Sequence, residues 1–438
     1  MPSLSCHSAE PPSLASRVLE HKQKRAMTFH IQAIMRWNWF TSYHFFNKTR
    51  KQREERKERE ERERAFYENG SLLLEKLIAS CNAKPIPIPT FSAQQLLLAT
   101  NNYSSEILRG HWVNWYKGSL EGRIVLIKRF NYALPGLAIN DLVISAQMSG
   151  HSNVLKPRGC CLHTPIPILV FEFAANGFLA DQIYVSRITE LQNQPMVWER
   201  RLKIARQIAH ALSYLHTAFP RPVIHMYIDM SSILLDEHDV PKFSNFYFSV
   251  SIPKGETDVE VYRGLGQPIR FSTPELKTTG KATEKTDVYN FGRFLLELLI
   301  GEDARNITRF TIDEDSSLVA YIHNHAQGSC INEIVDPAIL AEDGEGGATL
   351  VHQLQAVVDL ALTCTEEDPQ TRPTMVDVTK QLRRIERFAQ TSEVHLGNLQ
   401  NLKFHESFEE HASASLKRNA SSDEIQAVNE ASERPLEV

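Results

Sequence analysis

Two stretches of the chain carry side chains that could do chemistry together. Lys128 stands in an apolar run, RIVLIKRF (123–130), with Asp141 thirteen residues on, and HMYIDMSSILLDEHDVPKFSNFYF (225–248) carries His225, Tyr227, Asp229, Ser232 and Asn245. General-base work wants a carboxylate or an imidazole, and a hard metal ion wants carboxylate oxygens. Here Tyr227, Ser232 and Asn245 are neutral, and Asp229 is the acid among them. Taken singly, Lys128 reads as a strand lysine reaching solvent and His225 as a satisfied core histidine. Cys6, Cys81, Cys160, Cys161, Cys330 and Cys364 show neither Cys-x-x-Cys spacing nor a histidine in zinc-ligand rhythm. That pattern points to a reducing compartment and to neither a disulfide framework nor a structural zinc, with Cys160 and Cys161 on alternating faces of a strand.

The elements that must position these groups follow from composition and periodicity. The chain has 438 residues, 42% apolar and 23% charged, enough for one large two-lobed domain or two to three small ones. With 48 Lys or Arg against 53 Asp or Glu, the net charge of -5 supplies no basic field for polyanions, and no nucleic-acid partner is expected. No run of 18 apolar residues occurs, which excludes an apolar membrane-spanning helix. Residues 1–47, aromatic and basic after a Ser- and Pro-bearing start, are expected to be a disordered extension; an interfacial helix or a transit peptide also fits that composition. KTRKQREERKEREERER (48–64) reads as a solvated charged helix with i,i+4 pairs. Residues 65–90 read as an amphipathic helix, with Leu73, Leu74, Leu77 and Ile78 at helical period, ending in a Pro-Ile-Pro-Ile-Pro linker. Short β-type runs at 124–130 and 168–173 precede long helical periodicities at 198–216, 287–300 and 350–364, so 91–388 is expected to be an α+β domain with a small β-rich N-lobe and a larger α-helical C-lobe. The polar tail, 389–438, is expected to be disordered.

Several blocks in this domain fall in a recognisable order. FSAQQLLLATNNYS (91–104), WYKGSLEGRIVLIKRF (115–130), ILVFEFAANGFL (168–179), RLKIARQIAHALSYLH (201–216), the 223–249 stretch, STPEL (272–276), KTDVYNFGRFLLELLIG (285–301) and DPQTRPTM (368–375) resemble, in sequence, the protein-kinase domain of the plant receptor-like cytoplasmic kinases. The resemblance implies a two-lobed kinase-like fold, and it marks where catalytic groups should stand. In the glycine-rich loop only Gly110 remains, with Leu108, Val113 and Trp115 at the other marked positions. His-Arg-Asp is replaced by His225-Met226-Tyr227. Asp229 stands in place of the phosphate-contacting lysine, Ser232 in place of the metal-binding asparagine, and Asn245-Phe246-Tyr247 in place of Asp-Phe-Gly. Base, lysine and two metal ligands are lost together. Each such loss typically removes a few kcal/mol of transition-state stabilisation, so no useful turnover is expected. Leu126 and Trp115 fill the nucleotide slot, and ATP binding is expected to be weak or absent, with no cofactor and no metal.

The retained positions are architectural. His225 and Phe246 are packing residues, Asp287 the anchor for the loop backbone, and Glu275 with Arg372 a buried pair bracing the large lobe. Lys128 and Asp141 keep the places of the strand-three lysine and the helix-C acid, but Asp141 is one carbon short, which puts their ion pair in doubt. Together with FYENGSLLLEKLIASCN (66–82), the damaged loop is similar to that of the HopZ-effector-triggered-immunity-deficient type of pseudokinase. That likeness implies an adaptor or decoy in plant immune signalling. Its implied partners are a nucleotide-binding leucine-rich-repeat receptor, receptor-like cytoplasmic kinases and pathogen effectors, and its implied location is the cytoplasm or the inner face of the plasma membrane. The alternative is a residual Ser/Thr kinase with unconventional metal ligands; a third reading is a lipid-bound module using 48–64. The partner contact is expected at Leu74 and Leu77, with Phe66, Leu73, Ile78 and the strand aromatics Trp112, Trp115, Phe130 and Tyr132 beside them. Residues 249–271, with Ser249, Ser251, Thr257 and Tyr262, are expected to be an exposed regulatory segment.

Overall fold

A computed structural model describes residues 14–80, 87–184, 195–261, 273–301, 318–319, 322–323, 334–341 and 347–387. The first element is a single helix, α1 (Leu14–Ser80), where a disordered 1–47 and a separate charged helix were expected. The reason lies in what is missing: no Pro or Gly occurs from residue 13 to residue 69, so nothing interrupts the i to i+4 ladder. Exposed pairs brace its middle: Arg50–Glu54, Lys51–Glu55, Arg56–Glu60, Glu58–Arg62 and Arg59–Glu63. Each is worth a few tenths of a kcal/mol at most.

The end of α1 docks on the small lobe. Ala65 and Asn69 are buried, and the Asn69 amide donates to the carbonyls of Leu162 and Thr164 at 3.0 and 2.9 Å. Phe66, Leu73 and Leu77 pack into the lobe core beside α3 (Pro135–Gln147). Leu74 is 59% and Ile78 66% exposed, so the two candidate leucines part company: Leu74 faces solvent, whereas Leu77, expected at a partner surface, faces the core. The linker that follows is tied down. Thr90 bridges Cys160, and the Cys160 N–H donates to the Pro89 carbonyl at 2.9 Å.

The small lobe continues with α2 (Ala93–Ala99), opened by a Ser92/Gln95 capping box, and a five-stranded antiparallel sheet. Its strands are β1 (Glu106–Arg109), β2 (Val113–Leu120), β3 (Arg123–Phe130), β4 (Pro157–Cys161) and β5 (Ile168–Glu172), in the order β1-β2-β3-β5-β4. Trp112, Trp115 and Phe130, expected at the partner surface, are buried; of the four named aromatics only Tyr132 is exposed. Inward alternation along β2 and β3 turns Trp115 and Phe130 into one core with residues of α3, where Trp112, just before β2, joins them; burying such rings is worth several kcal/mol.

The larger lobe is built on α4 (Leu179–Tyr184), α5 (Trp198–Thr217), α6 (Pro274–Thr279), α7 (Glu284–Ile300), the helix Gly347–Cys364 and helical residues 375–387. Small antiparallel pairs carry its loops: β6 (Val223–Ile224) with β9 (Val250–Ser251), β7 (Ile233–Leu235) with β8 (Pro241–Phe243), and β10 (Val259–Glu260) with β11 (Lys281–Ala282). The α+β, two-lobed expectation is met. Residues 1–13, the tail 389–438 and residues 262–271 of the regulatory segment, Tyr262 among them, lie outside the described residues.

Candidate interlobe site

The two stretches that could do chemistry meet between the lobes. β3 carries Lys128 inward, α3 brings Asp141 opposite it, and the turn after β8 brings Asn245. Lys128 Nζ donates to Asp141 Oδ2 at 2.5 Å and to Asn245 Oδ1 at 2.6 Å, with the lysine and the aspartate wholly buried. The ion pair that chain length put in doubt is therefore formed. Burial pulls the Lys128 ammonium below its ordinary pKa, and Asp141 pulls it back part of the way. The rings of Trp115 and Tyr247 lie 4.8 and 5.0 Å from that nitrogen, and aromatic faces at such range favour the cation.

The other Asp141 oxygen accepts the Phe246 N–H at 2.9 Å. Beside it, the Asn140 amide donates to the carbonyls of Phe246, Tyr247 and Ser249 at 3.2, 3.0 and 2.8 Å. Asn140 was not singled out from the sequence. Its signal was there, as a polar neighbour of Asp141 in the otherwise apolar LAINDLVISA of α3. Asn245 holds a left-handed φ of 68°, a conformation asparagine tolerates better than most residues.

The catalytic-loop substitutions also satisfy one another. Asp229 accepts hydrogen bonds from the Ser231 and Ser232 hydroxyls, each at 2.8 Å. Tyr227 lies 5.7 Å from the ring of Tyr247, which packs edge-on against Phe130. Burial, then Tyr227 and Asp229, push the Tyr247 phenol well above its usual pKa, so it stays neutral. Trp115 packs on Phe171 and Phe178 in the slot above, with Leu126 fully buried in the same lobe core.

At the hairpin tip, the Gly110 N–H donates to the Val113 carbonyl, and a Cβ on Gly110 would stand 2.7 Å from that oxygen. The Asn131 amide donates to the carbonyls of Gly110 and His111 at 2.8 and 3.0 Å, shutting the turn. Trp112 then reaches across to Phe248 at 4.9 Å between ring centres.

Magnesium–nucleotide, the group this fold commonly holds, does not fit these residues. Asn245 and Ser232 offer neutral oxygens where a hard cation wants carboxylates, the Asn245 oxygen is taken by Lys128, and the ring of Trp115, packed on Phe171 and Phe178, lies 4.8 Å from that lysine. Among the described residues no group of three or more His, Cys, Asp or Glu could hold a metal ion.

The remaining positions form the frame below. Asp287 accepts the N–H groups of His225 and Met226 at 2.7 and 2.9 Å and pairs with His216 at 2.8 Å; His216 was missed by sequence reasoning. His225 stacks on Phe243 at 4.2 Å and meets Phe246 edge-on, and burial, opposed by Asp287, holds its imidazole at a pKa of about 4. Arg372 Nη1 and Nη2 donate to the two Glu275 oxygens at 3.0 and 2.9 Å. Burial raises the Glu275 carboxyl, but hydrogen bonds from Arg372 and Thr273 outweigh it and leave the pKa lowered.

The regulatory segment starts fixed. Ser249, expected exposed, is buried with its hydroxyl donating to the His225 carbonyl, and Ser251 is half-buried in β9 opposite Val223. Thr257 is exposed.

The protein tyrosine and serine/threonine kinase family matches residues 100–382. Among curated relatives from Arabidopsis thaliana, the serine/threonine-protein kinase ZRK1 is 38% identical over 332 residues, 74% of this chain and 92% of its own. The non-functional pseudokinase ZRK2 is 39% identical over 330 residues, 73% of this chain and 89% of its own. The non-functional pseudokinase ZED1 is 39% identical over 334 residues, 74% and 96%. Relatives at equal distance thus carry both descriptions, kinase and pseudokinase.

Proposed function

The chain belongs to the protein tyrosine and serine/threonine kinase family, and we propose that it is a catalytically inactive member working as a protein adaptor or decoy in plant immune signalling. The observation that carries this reading is the Lys128–Asp141–Asn245 network. A lysine–acid pair is also required in an active kinase; what departs here is its third member, Asn245, a neutral amide in the place of a metal-binding aspartate, with its oxygen taken by Lys128. Tyr227 cannot act as a base at neutral pH, Asp229 repels phosphate where a cation should attract it, and Ser232 and Asn245 are weak ligands for magnesium. An inactive domain acts through its surfaces. The partners this reading assigns are a nucleotide-binding leucine-rich-repeat receptor, receptor-like cytoplasmic kinases and the effectors that modify them. Names of relatives such as ZRK2 and ZED1 support the inactive half of the reading.

The name of ZRK1 favours the second reading, a residual Ser/Thr kinase. A thermal-shift titration with ATP or ADP and magnesium or manganese separates the two. No movement of the midpoint at millimolar nucleotide is the expected result. A saturable rise, which ligand at 100 times its Kd would drive by about 2.7 kcal/mol, would overturn it. Capture of a receptor or kinase from plant tissue without nucleotide is the matching positive result, and its absence would leave the adaptor half without support.

A further inference from the structure

We propose that the last turns of α1, residues 65–80, form an interlobe strap: they hold α3 and tie it to the large lobe, and their release is the step that lets the Lys128–Asp141–Asn245 network open. The proposal goes beyond the adaptor reading and does not depend on it. These turns meet three anchors in succession. The first is the turn between β4 and β5, where Asn69 donates to the carbonyls of Leu162 and Thr164 and Phe66 stacks on His163 with ring centres 4.6 Å apart. The second is α3. Leu73 and Leu77 share one core with Ile139, Leu142 and Val143 of that helix, and the amide of Gln147, its last residue, donates to the Ser80 hydroxyl at 2.9 Å. The third lies in the large lobe, where Arg221, between α5 and β6, donates to the Ala79 carbonyl at 2.6 Å.

α3 is thus gripped at two places. Asn140 and Asp141 fasten its middle to Lys128 and to the backbone of residues 246–249, and Gln147 fastens its end to α1. For α3 to leave the network as a unit its last residue must move as well, and α1 holds that residue while being held itself by the large lobe. Two features of the strap favour release over permanent docking. Gly70 lies inside it, next to Asn69, with ordinary helical backbone, and a Cβ there would meet nothing within 4 Å. Neither space nor backbone conformation therefore calls for glycine, which is about fivefold less favourable than alanine in a helix interior. At the far end, burial and the Arg221 guanidinium both hold the Lys76 ammonium below its ordinary pKa, so like charges push apart where the large lobe grips α1. Both features lower the cost of releasing the strap while the core beneath it stays packed.

The test is hydrogen–deuterium exchange of the full chain, read on peptides covering 135–147 and 244–250. The Phe246 N–H is the reporter, because it donates to Asp141 and exchanges when α3 lets go. Phe66→Ala/Leu77→Ala loosens the grip on the sheet and on α3, and should speed exchange in both peptides by roughly tenfold or more while α5 and α7 keep their protection. Arg221→Ala cuts only the large-lobe tie and leaves the small-lobe core whole; it should speed both by about threefold. Gly70→Ala should slow both, by up to about fivefold. If the double variant does not fold, these last two variants decide the matter. Exchange at 244–250 that Arg221→Ala and Gly70→Ala leave unchanged would overturn the proposal and make α1 a passively docked helix. A rise shared equally by α5 and α7 would overturn it too, since the strap would then open only with the whole domain.

Discussion

Replacing Asp141 by alanine tests whether the interlobe network is structural. The change leaves the Lys128 ammonium at 0% exposure with only the neutral Asn245 oxygen at hydrogen-bond range. Breaking a buried ion pair on one side typically costs about 3–5 kcal/mol. The Phe246 N–H loses its acceptor as well, a further cost of about 1–3 kcal/mol that overlaps with the first. For a domain of this size we expect a melting midpoint lower by roughly 6–15 °C. Lys128→Met with Asp141→Asn removes both charges and keeps an acceptor for Phe246, so it should cost less than about 2 kcal/mol. The single variant should also recover as pH rises. Without Asp141, native Lys128 sheds its proton well below 10.5 while the unfolded chain keeps it until about that pH. The unfolded state then binds more protons, so stability climbs with pH over that window. Differential scanning calorimetry across a pH series reads all three quantities. A cost below about 1 kcal/mol for Asp141→Ala, or a double variant as unstable as the single one, would refute the reasoning.

Two further outcomes follow from burial. Leu77→Glu forces a carboxylate into the small-lobe core and should cost about 2–4 kcal/mol, whereas Leu74→Glu should stay within about 0.5 kcal/mol of wild type. Thermal scans decide this, and a Leu77→Glu protein as stable as wild type would mean that α1 is not docked. His225 is held at about 4 against an ordinary 6.5, so between those values the unfolded chain takes up a proton that the folded chain refuses. Stability therefore falls with acid, by about 2 kcal/mol from pH 6.5 to 5, and His225→Gln should lose that part of the slope. His151, also held at about 4 by burial and by His210, keeps its own share in both proteins. Parallel slopes for variant and wild type would exclude His225 as the cause.

Most of the domain was legible because its signals are local. Strand periodicity at 124–130 and helix periodicity at 198–216 match β3 and α5 to within one residue at each end. The N-terminal helix was read in pieces, because its continuity shows only in the absence of breakers. Leu74 and Leu77 were merged because a helical period defines an apolar arc and not which edge of it meets the domain. The site was legible as a list of losses, residue by residue. What one dimension hides is that the losses are reciprocal: Asn245 and Lys128 are 117 residues apart, yet each supplies what the other lacks. That reciprocity carries a mechanical consequence. Asp141 of α3 binds Lys128 and the Phe246 N–H, and the two N–H groups of the Asn140 amide are shared among the carbonyls of Phe246, Tyr247 and Ser249. That makes about four hydrogen bonds, so at about 1 kcal/mol net apiece, swinging α3 outward costs on the order of 4 kcal/mol. The open form would then be populated at about one part in a thousand. A partner or modification that moves that helix must supply at least this much free energy. Among the described residues, Tyr67, Leu74 and Ile78 on α1 and Thr257 beyond β9 are side chains left bare for such a partner to meet.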